Sequence, residues 1–121
     1  MQSQRLLTIR SGHGLKDRKS LRQFWANLDP TVGHEIQKTR PVLIISPDEL
    51  NRHLATVLVA PITSTIRPYP FRPNVILNNI CGQIALDQIR TLDKIRLNKF
   101  IDTLDIKFQK EVLQLLAQLF M

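Results

Sequence analysis

Two short apolar runs constrain the fold of this chain more than any other feature. Residues 41–46 are PVLIIS and residues 55–63 are ATVLVAPIT. A continuous apolar run of this length, bounded by turn signals such as proline, is typical of a buried strand. Pro61 is expected at the end of the second strand or at a bulge, because proline has no N–H to donate to a neighbouring strand. These runs predict a sheet at the core.

Shorter segments extend the predicted sheet. Strands are predicted in LRQFWANL (21–28), VIL (75–77), QIALDQI (83–89), RTLD (90–93) and KIRLNKFI (94–101). Successive side chains of a strand point to opposite faces, so in QIALDQI Asp87 is expected on the face opposite to that of Leu86 and Gln88. The remaining segments are predicted as one helical turn in PDELN (47–51), a turn in NNICG (78–82) and a long connection in STIRPYPFRPN (64–74).

The end of the chain has a different period. In DIKFQKEVLQLLAQLF (105–120) apolar residues recur at helical spacing, and Asp105 can cap the helix. Core packing is the preferred interpretation of this apolar stripe. The stripe is wider than one helix face, and some of the additional apolar residues can contact a second subunit. Several short strands followed by one helix predict a small, mostly β barrel with helical additions, an α+β fold whose loops bind ligands on one face.

The net charge of +7 on 121 residues favours a polyanionic partner such as nucleic acid. Residues 1–22 hold six basic and one acidic side chain, against eleven and nine in the rest of the chain. This segment is either a solvated basic tail or a tail that grips phosphate. No apolar run approaches the roughly 20 residues of a membrane helix, and the start lacks the apolar stretch of a secretory signal. A soluble, cytoplasmic protein without a membrane partner is therefore expected.

Polar side chains that can do chemistry lie at the ends of the predicted strands. They are His34, Glu35 and Arg40 around the first loop, Thr63, Ser64 and Thr65 after the second run, and Asp87, Gln88 and Arg90 further on. If the strands bring these ends together, one cleft holds a base, a cation and hydroxyl donors. Such a set suits RNA cleavage without metal, because the ribose 2′-OH must lose a proton while an arginine fork holds the phosphate.

Other kinds of site have no support in the sequence. The single Cys81, the lack of zinc-type His/Cys spacing and the lack of a Gly-rich phosphate loop leave no metal or cofactor to be expected. Each candidate also has a structural alternative. The alternatives are a surface position for Arg40 and His34, turn capping for Thr63 and Ser64, and an ion pair with Arg90 or Lys94 for Asp87.

Three segments occur in the order and spacing of a known family: LDPTVGHEIQKTRPVLIIS (28–46), VAPITS (59–64) and LDQIRTLDKIRL (86–97). With them the chain resembles the MazF/PemK-like (Kid-like) growth-inhibitor toxins of bacterial toxin–antitoxin modules. The resemblance implies an SH3-like barrel with a C-terminal helix, usually a homodimer. It implies a metal-independent endoribonuclease that cuts single-stranded RNA, often mRNA, and a cognate antitoxin that covers the RNA site. It places the toxin domain at residues 21–121, behind an atypical basic extension at residues 1–20.

Carried over position by position, the resemblance implies roles for five residues. Arg40 matches the arginine assigned to phosphate stabilisation and proton donation, and Thr63 matches the threonine paired with it. Asp87 matches an aspartate proposed as the base. His34 and Glu35 match loop residues implicated in catalysis or RNA contact.

RNA contact is expected from a further set of residues near these five. Ser64 and Gln88 adjoin the catalytic set. In the Pro-rich connection, the candidates are Arg67, Tyr69, Phe71 and Arg72. Unstacked bases stack on aromatic rings and bond to arginine, so this loop is expected to help set the cut sequence. Simple loop packing is its alternative role.

The chain departs from the family pattern in two places. RQFW (22–25) stands where the family has a glycine and an acidic residue before the tryptophan, and Ala85 stands where Kid-like members can carry an arginine. Two rival functions follow from the same fold. One is a toxin that inhibits a protein target such as DNA gyrase by binding, and the other is a degenerate toxin that only binds its antitoxin.

Overall fold

The computed structural model describes residues 21–28 and 39–121. Its strands are β1 (Arg22–Asn27), β2 (Thr39–Ile44), β3 (Thr56–Thr63), β4 (Asn74–Leu77), β5 (Ile80–Ile84), β6 (Arg90–Asp93) and β7 (Leu97–Thr103). Its helices are α1 (Asp48–His53) and α2 (Ile106–Leu119), and short 3-10 turns cover Leu86–Gln88 and Lys94–Arg96. The mostly β prediction with a C-terminal helix is confirmed.

The strands form one antiparallel sheet in the order β4-β5-β3-β2-β1-β7. β3 has β2 on one side and is shared by two strands on the other. Its first residues, from Thr56 to Val59, pair with β6, whereas Ile62 and Thr63 pair with β5. Because β3 changes partners along its length, the sheet curls into a half-barrel.

The partner change explains the position of Pro61. This residue lies inside β3, opposite Val42 of β2 and in regular register, so its expected place at a strand end or bulge is wrong. The missing N–H costs no ladder bond because Ala60 and Pro61 fall in the gap between the β6 and β5 pairings. The Pro61 carbonyl still accepts a 2.8 Å hydrogen bond from the Ala85 N–H.

Both faces of the sheet are buried over residues 42–44 of β2 and 59–63 of β3, which is why the sequence is continuously apolar there, whereas Leu58 of β3 is exposed. Alternate residues serve two core clusters. One cluster contains Leu43, Ile45, Ala60 and Ile62 together with Val112 of α2, so the helix covers this face. The other cluster contains Val42, Ile44, Val57 and Val59 and is closed by residues of β1 and β6. Burial of each large aliphatic side chain contributes about 1.5–3 kcal/mol.

Helix α2 begins where the sequence indicates. The Asp105 carboxylate accepts the Lys107 N–H at 3.1 Å, which satisfies one of the helix's free donors. Phe108, Leu115 and Leu116 pack against the first core cluster around the buried Val112. The predicted cap and the predicted core packing of the stripe are both confirmed.

Two predicted boundaries near β5 are wrong. The turn is confined to Asn78 and Asn79, both with positive φ (51° and 63°), and β5 already begins at Ile80. A two-residue hairpin loop of type I′ needs positive φ at both positions, and asparagine tolerates this. The strand predicted for residues 83–89 ends at Ile84, because the Gln88 N–H bonds to the Ala85 carbonyl (3.0 Å) and closes a 3-10 turn.

The segment after β6 also departs from the predicted meander. Lys94–Arg96 form a 3-10 turn, because the Asp93 carboxylate accepts the Ile95 N–H at 3.1 Å. Strand β7 therefore starts at Leu97. The period-two assignment of Asp87 is likewise wrong, because that residue lies in the preceding 3-10 turn and not on a strand.

Candidate active site

A cleft of about 250 Å³ opens between the start of β2, the end of β3 and the β4–β5 hairpin. Its polar lining includes Arg40, Thr63, Ser64 and Asn78, and Trp25 of β1 closes one side. The cleft lies where β3 passes from β6 to β5. It therefore brings together three of the residues predicted from the sequence, namely Arg40, Thr63 and Ser64.

Strand pairing brings the segments of Arg40 and Thr63 to the same cleft. The β2–β3 pairing reaches Val42 opposite Pro61, and Arg40 and Thr63 each lie two residues beyond that last pair. On its other side Arg40 pairs with Ala26 of β1. Both residues line the cleft, so a guanidinium and a hydroxyl are held at the same end of the sheet.

The Thr63 hydroxyl is oriented by its own turn. Only 6% of Thr63 is exposed. Its Oγ1 accepts the Thr65 N–H at 3.1 Å, which is the turn-capping interaction expected as its structural alternative. A hydroxyl that accepts one hydrogen bond keeps its own proton for donation. Capping and a contact to a ligand in the cleft are therefore compatible.

Gly82 lets β5 approach β3 closely at this point. A Cβ at this position would lie 2.9 Å from the Thr63 carbonyl oxygen and 3.6 Å from Ile62 Cγ2. Real Cβ atoms essentially never come within 3.0 Å of another heavy atom. The absence of a side chain therefore sets the width of the cleft, of which Gly82 and the exposed Cys81 form one wall.

Asp87 lies apart from these residues and is engaged by Arg72. The guanidinium donates from Nε to Oδ1 (2.8 Å) and from Nη2 to Oδ2 (3.0 Å), a bidentate pair. The hydrogen bond from Arg72 holds the pKa of Asp87 below its usual value, against the opposing effect of burial. Asp87 is not among the residues that line the cleft.

The ion-pair partners expected for Asp87 are wrong. Arg90 donates instead to the Leu28 carbonyl at 3.1 Å, and the Lys94 ammonium donates to the Asn51 carbonyl. The pair with Arg72 joins residues 15 positions apart. Sequence spacing could not indicate it, because it depends on how the Pro-rich connection folds back.

The predicted RNA-contact residues have different environments. The Arg72 guanidinium stacks over the Tyr69 ring at 4.9 Å, and Tyr69 is largely exposed. Phe71 has a positive φ of 62° and packs against the first core cluster, in agreement with the loop-packing alternative. Arg67 is exposed, and Gln88 is half-buried in the 3-10 turn. His34 and Glu35 lie outside the described residues.

Sequence reasoning missed Trp25, Cys81, Gly82 and Gln83. Trp25 pairs with Pro41 and lines the cleft, but a strand tryptophan has no pattern that separates ligand contact from packing. Gly82 did carry a signal, because a glycine within a strand often marks a close backbone approach. It was obscured by the prediction of a turn over residues 78–82.

Two further observations concern residues 21–28 and 39–121 alone. Within them, no three His, Cys, Asp or Glu side chains cluster in a way that could hold a metal ion. No helix in this part of the chain has the length and apolar character needed to cross a membrane.

Comparison with known proteins gives a consistent result. Residues 23–120 match the family described as PemK-like, MazF-like toxin of type II toxin-antitoxin system. The endoribonuclease EndoA of Bacillus subtilis (strain 168) is 37% identical over 95 residues, which cover 74% of this chain and 82% of the relative. The endoribonuclease PemK of Escherichia coli is 38% identical over 100 residues, which cover 75% and 74%.

A solved structure supports the same fold. The crystal structure of MazF from Deinococcus radiodurans superposes with a TM-score of 0.73 at 27% identity, covering 84% of this chain and 94% of that chain. The mostly β fold, a sheet curled into a half-barrel with a C-terminal helix, is therefore confirmed. The match over residues 23–120 also spans both strands that supply Arg40 and Thr63.

Proposed function

Since the chain belongs to the PemK-like, MazF-like toxin family of type II toxin–antitoxin systems, we propose that it is an endoribonuclease that cuts single-stranded RNA. The two similar relatives bear the name endoribonuclease. The observation that carries the proposal is the cleft in which Arg40 and Thr63 stand at adjacent strand ends. A phosphate bound there meets an arginine fork and a hydroxyl donor from two rigid strands.

The reaction follows from this arrangement. A base takes the proton of the ribose 2′-OH, and the 2′-oxygen attacks the adjacent phosphorus. The bond from phosphorus to the 5′-oxygen breaks, and that oxygen leaves with a proton, which gives a 2′,3′-cyclic phosphate and a 5′-hydroxyl end. Arg40 binds the phosphoryl oxygens as negative charge builds. By the family resemblance it also supplies the proton that the 5′-oxygen takes on leaving, and the proton taken by the base replaces it through solvent. The Thr63 hydroxyl donates a hydrogen bond to the phosphoryl group.

Asp87, which the resemblance implies as the general base, is poorly suited to that role. A carboxylate with both oxygens bonded to Arg72 and a lowered pKa is a weak proton acceptor. His34 and Glu35 are the other candidates of the sequence, six and five positions before Arg40. We propose that one of these two takes the proton. Separate glutamine substitutions would identify it by the loss of one limb of the pH–rate profile.

Arg40 provides the main test. The purified chain, incubated with long single-stranded RNA in EDTA, is expected to release fragments with cyclic phosphate ends. Arg40→Ala should lower kcat by about 10²–10³-fold, the usual effect of losing one donor to a developing oxyanion. Arg40→Lys is the matched control, since it keeps the charge but loses the fork and should recover only part of the rate. Equal rates for Arg40→Ala and the parent would remove the assignment.

The partners proposed for the chain follow from its family. We infer a cognate antitoxin that covers the cleft, a homodimer and a cytoplasmic location. Exposed apolar residues support a second subunit, among them Phe100 on β7 and Phe120 after α2. Light scattering of the purified chain would test the dimer. Inhibition of RNA cleavage by the co-expressed antitoxin would test the other partner.

The Arg–Thr cleft disfavours the two rivals, because a protein-binding poison or an inert antitoxin binder needs no phosphate-holding pair. Expression in cells distinguishes all three. Loss of bulk mRNA indicates the nuclease, DNA breaks with intact mRNA indicate gyrase inhibition, and neither effect indicates a degenerate toxin. Ala85, which replaces a possible phosphate-binding arginine, increases the share of phosphate binding that falls to Arg40.

A further inference from the structure

The connection from Ser64 to Pro73 begins in the lining of the cleft, at Ser64, and has few backbone hydrogen bonds of its own. Its three prolines cannot donate, and it contains most of the predicted RNA-contact residues. Its second half is held by the backbone, since the carbonyls of Phe71 and Pro73 accept the N–H groups of Leu86 and Ile84. Its first half is held by side chains, since the Thr63 hydroxyl accepts the Thr65 N–H and the Gln83 carboxamide binds the Arg67 backbone.

Gln83 makes three hydrogen bonds from a buried position. Only 5% of the residue is exposed. Its Oε1 accepts the Arg67 N–H at 3.0 Å, and its Nε2 donates to the Arg67 carbonyl at 2.9 Å. Nε2 also donates to Asn74 Oδ1 at 3.2 Å. The carboxamide thus bonds to both polar groups of one loop residue, as a neighbouring strand would.

The backbone of Gln83 ties this contact to the candidate active site. In the β3–β5 register Gln83 lies opposite Thr63, and in the β4–β5 register it lies opposite Asn74. One residue therefore fixes the position of Arg67 relative to the Thr63 hydroxyl. A buried polar group with all of its bonds formed is rigid and costly to disturb.

We propose that Gln83 is a positioning residue for RNA. By holding the Arg67 backbone, it presents the exposed Arg67 side chain and the start of the loop at a fixed distance from Thr63. It thereby sets how tightly, and at which sequence, the strand of RNA is held. This inference rests on the proposed function, and it assigns to Gln83 an effect on substrate binding and not on the chemical step.

The first test uses Gln83→Leu, which keeps the size of the side chain and removes all three bonds. Gln109→Leu is the matched control, because Gln109 Nε2 also donates to a backbone carbonyl, that of Leu104, at the start of α2. Hydrogen exchange of the Arg67 amide should quicken by about 10-fold or more in Gln83→Leu, as a lost buried bond predicts, and not in the control. RNA cleavage should show a KM raised several-fold with kcat nearly kept, and a broader set of cut sites.

The second test uses Gln83→Glu, which also covers the possibility that the leucine variant fails to fold. The ionised carboxylate accepts from Arg67 N–H but cannot donate to the Arg67 carbonyl, whereas the protonated acid can. As the pH falls, the exchange protection of the Arg67 amide should rise toward that of the parent at the same pH. The KM should fall toward that of the parent at the same pH. A merely structural role restores the protection of the Arg67 amide but leaves the KM equal to that of the parent at every pH.

The outcomes separate this inference from the proposed function. An inactive parent refutes the nuclease, while Arg67 exchange still tests the hydrogen bonds of Gln83. An unchanged Arg67 exchange rate in Gln83→Leu refutes the contact itself. Faster exchange with an unchanged KM and unchanged cut sites refutes the positioning role.

Discussion

Gly82 gives the sharpest test of how the cleft is built. In Gly82→Ala the new Cβ would lie 2.9 Å from the Thr63 carbonyl oxygen, whereas ordinary van der Waals contact begins at 3.4 Å. The obstacle is backbone and cannot rotate away. Thr63 is also paired with Gln83, the neighbour of Gly82. β5 must therefore move away from β3 by about half an ångström, the difference between the two distances.

This shift has a cost that can be bounded. Overpacking in a well-packed region destabilises the folded state by about 1–3 kcal/mol. Replacing glycine by alanine also reduces the conformational freedom of the unfolded chain, which offsets about 0.4–1 kcal/mol of this loss. We expect Gly82→Ala to lower the free energy of unfolding by about 1–2 kcal/mol in urea titrations. A displacement of 1 Å costs about 10²-fold in rate, so a shift of half that size should lower RNA cleavage about 10-fold.

Gly82→Val distinguishes steric conflict from strand propensity. Valine prefers strands more strongly than alanine does. If propensity decided the outcome, valine would be the more stable variant. If the contact with the Thr63 carbonyl decides it, valine is no better than alanine. A Gly82→Ala protein as stable and as active as the parent would refute the close-approach argument.

Two further predictions concern single polar groups. Thr63→Val keeps the shape of the side chain and should lower kcat for RNA by about 10²–10³-fold. The loss of stability should be small, because Thr65 is an exposed residue whose N–H can bind water instead. Thr63→Ser should stay within about 10-fold of the parent, and equal rates for the Val and Ser variants would contradict the role of the hydroxyl. Because Arg72 lowers the pKa of Asp87, their pair stabilises the folded chain at neutral pH, and this contribution is lost as the pH falls through the folded-state pKa. Above about pH 5, Asp87→Asn should therefore have a free energy of unfolding lower than that of the parent by at most about 1 kcal/mol, because the carboxylate is 41% exposed. The urea midpoints of the two proteins should converge in acid. A difference that does not depend on pH would contradict the ion pair.

The sequence predicts the strands of this fold better than its turns, for a physical reason. The runs at 41–46 and 55–63 are apolar because two core clusters cover both faces, a requirement that leaves a clear pattern. The 3-10 turn at 86–88 and the early start of β5 depend on single hydrogen bonds and on two asparagines with positive φ. Such local choices leave no periodicity.

The same distinction applies to the site. Arg40 and Thr63 could be predicted because they end the two strands with the clearest patterns, and strand ends in adjacent register must meet. The Arg72–Asp87 pair and the bonds of Gln83 to Arg67 could not, because both depend on how ten residues with three prolines fold back on the sheet. The family resemblance supplied roles for aligned positions. It did not indicate which side chains hold the loop.

The cleft exists because β3 serves two partners. Up to Val59 the strand pairs with β6, and from Ile62 it pairs with β5, so the sheet must bend between them. Pro61 sits at this bend, between the β6 and β5 pairings, where its missing N–H costs no ladder bond. The bend turns the end of β3 toward the β4–β5 hairpin, and Gly82 permits the two backbones to meet. A proline without an N–H and a glycine without a Cβ therefore place Thr63 in the cleft that Arg40 also lines.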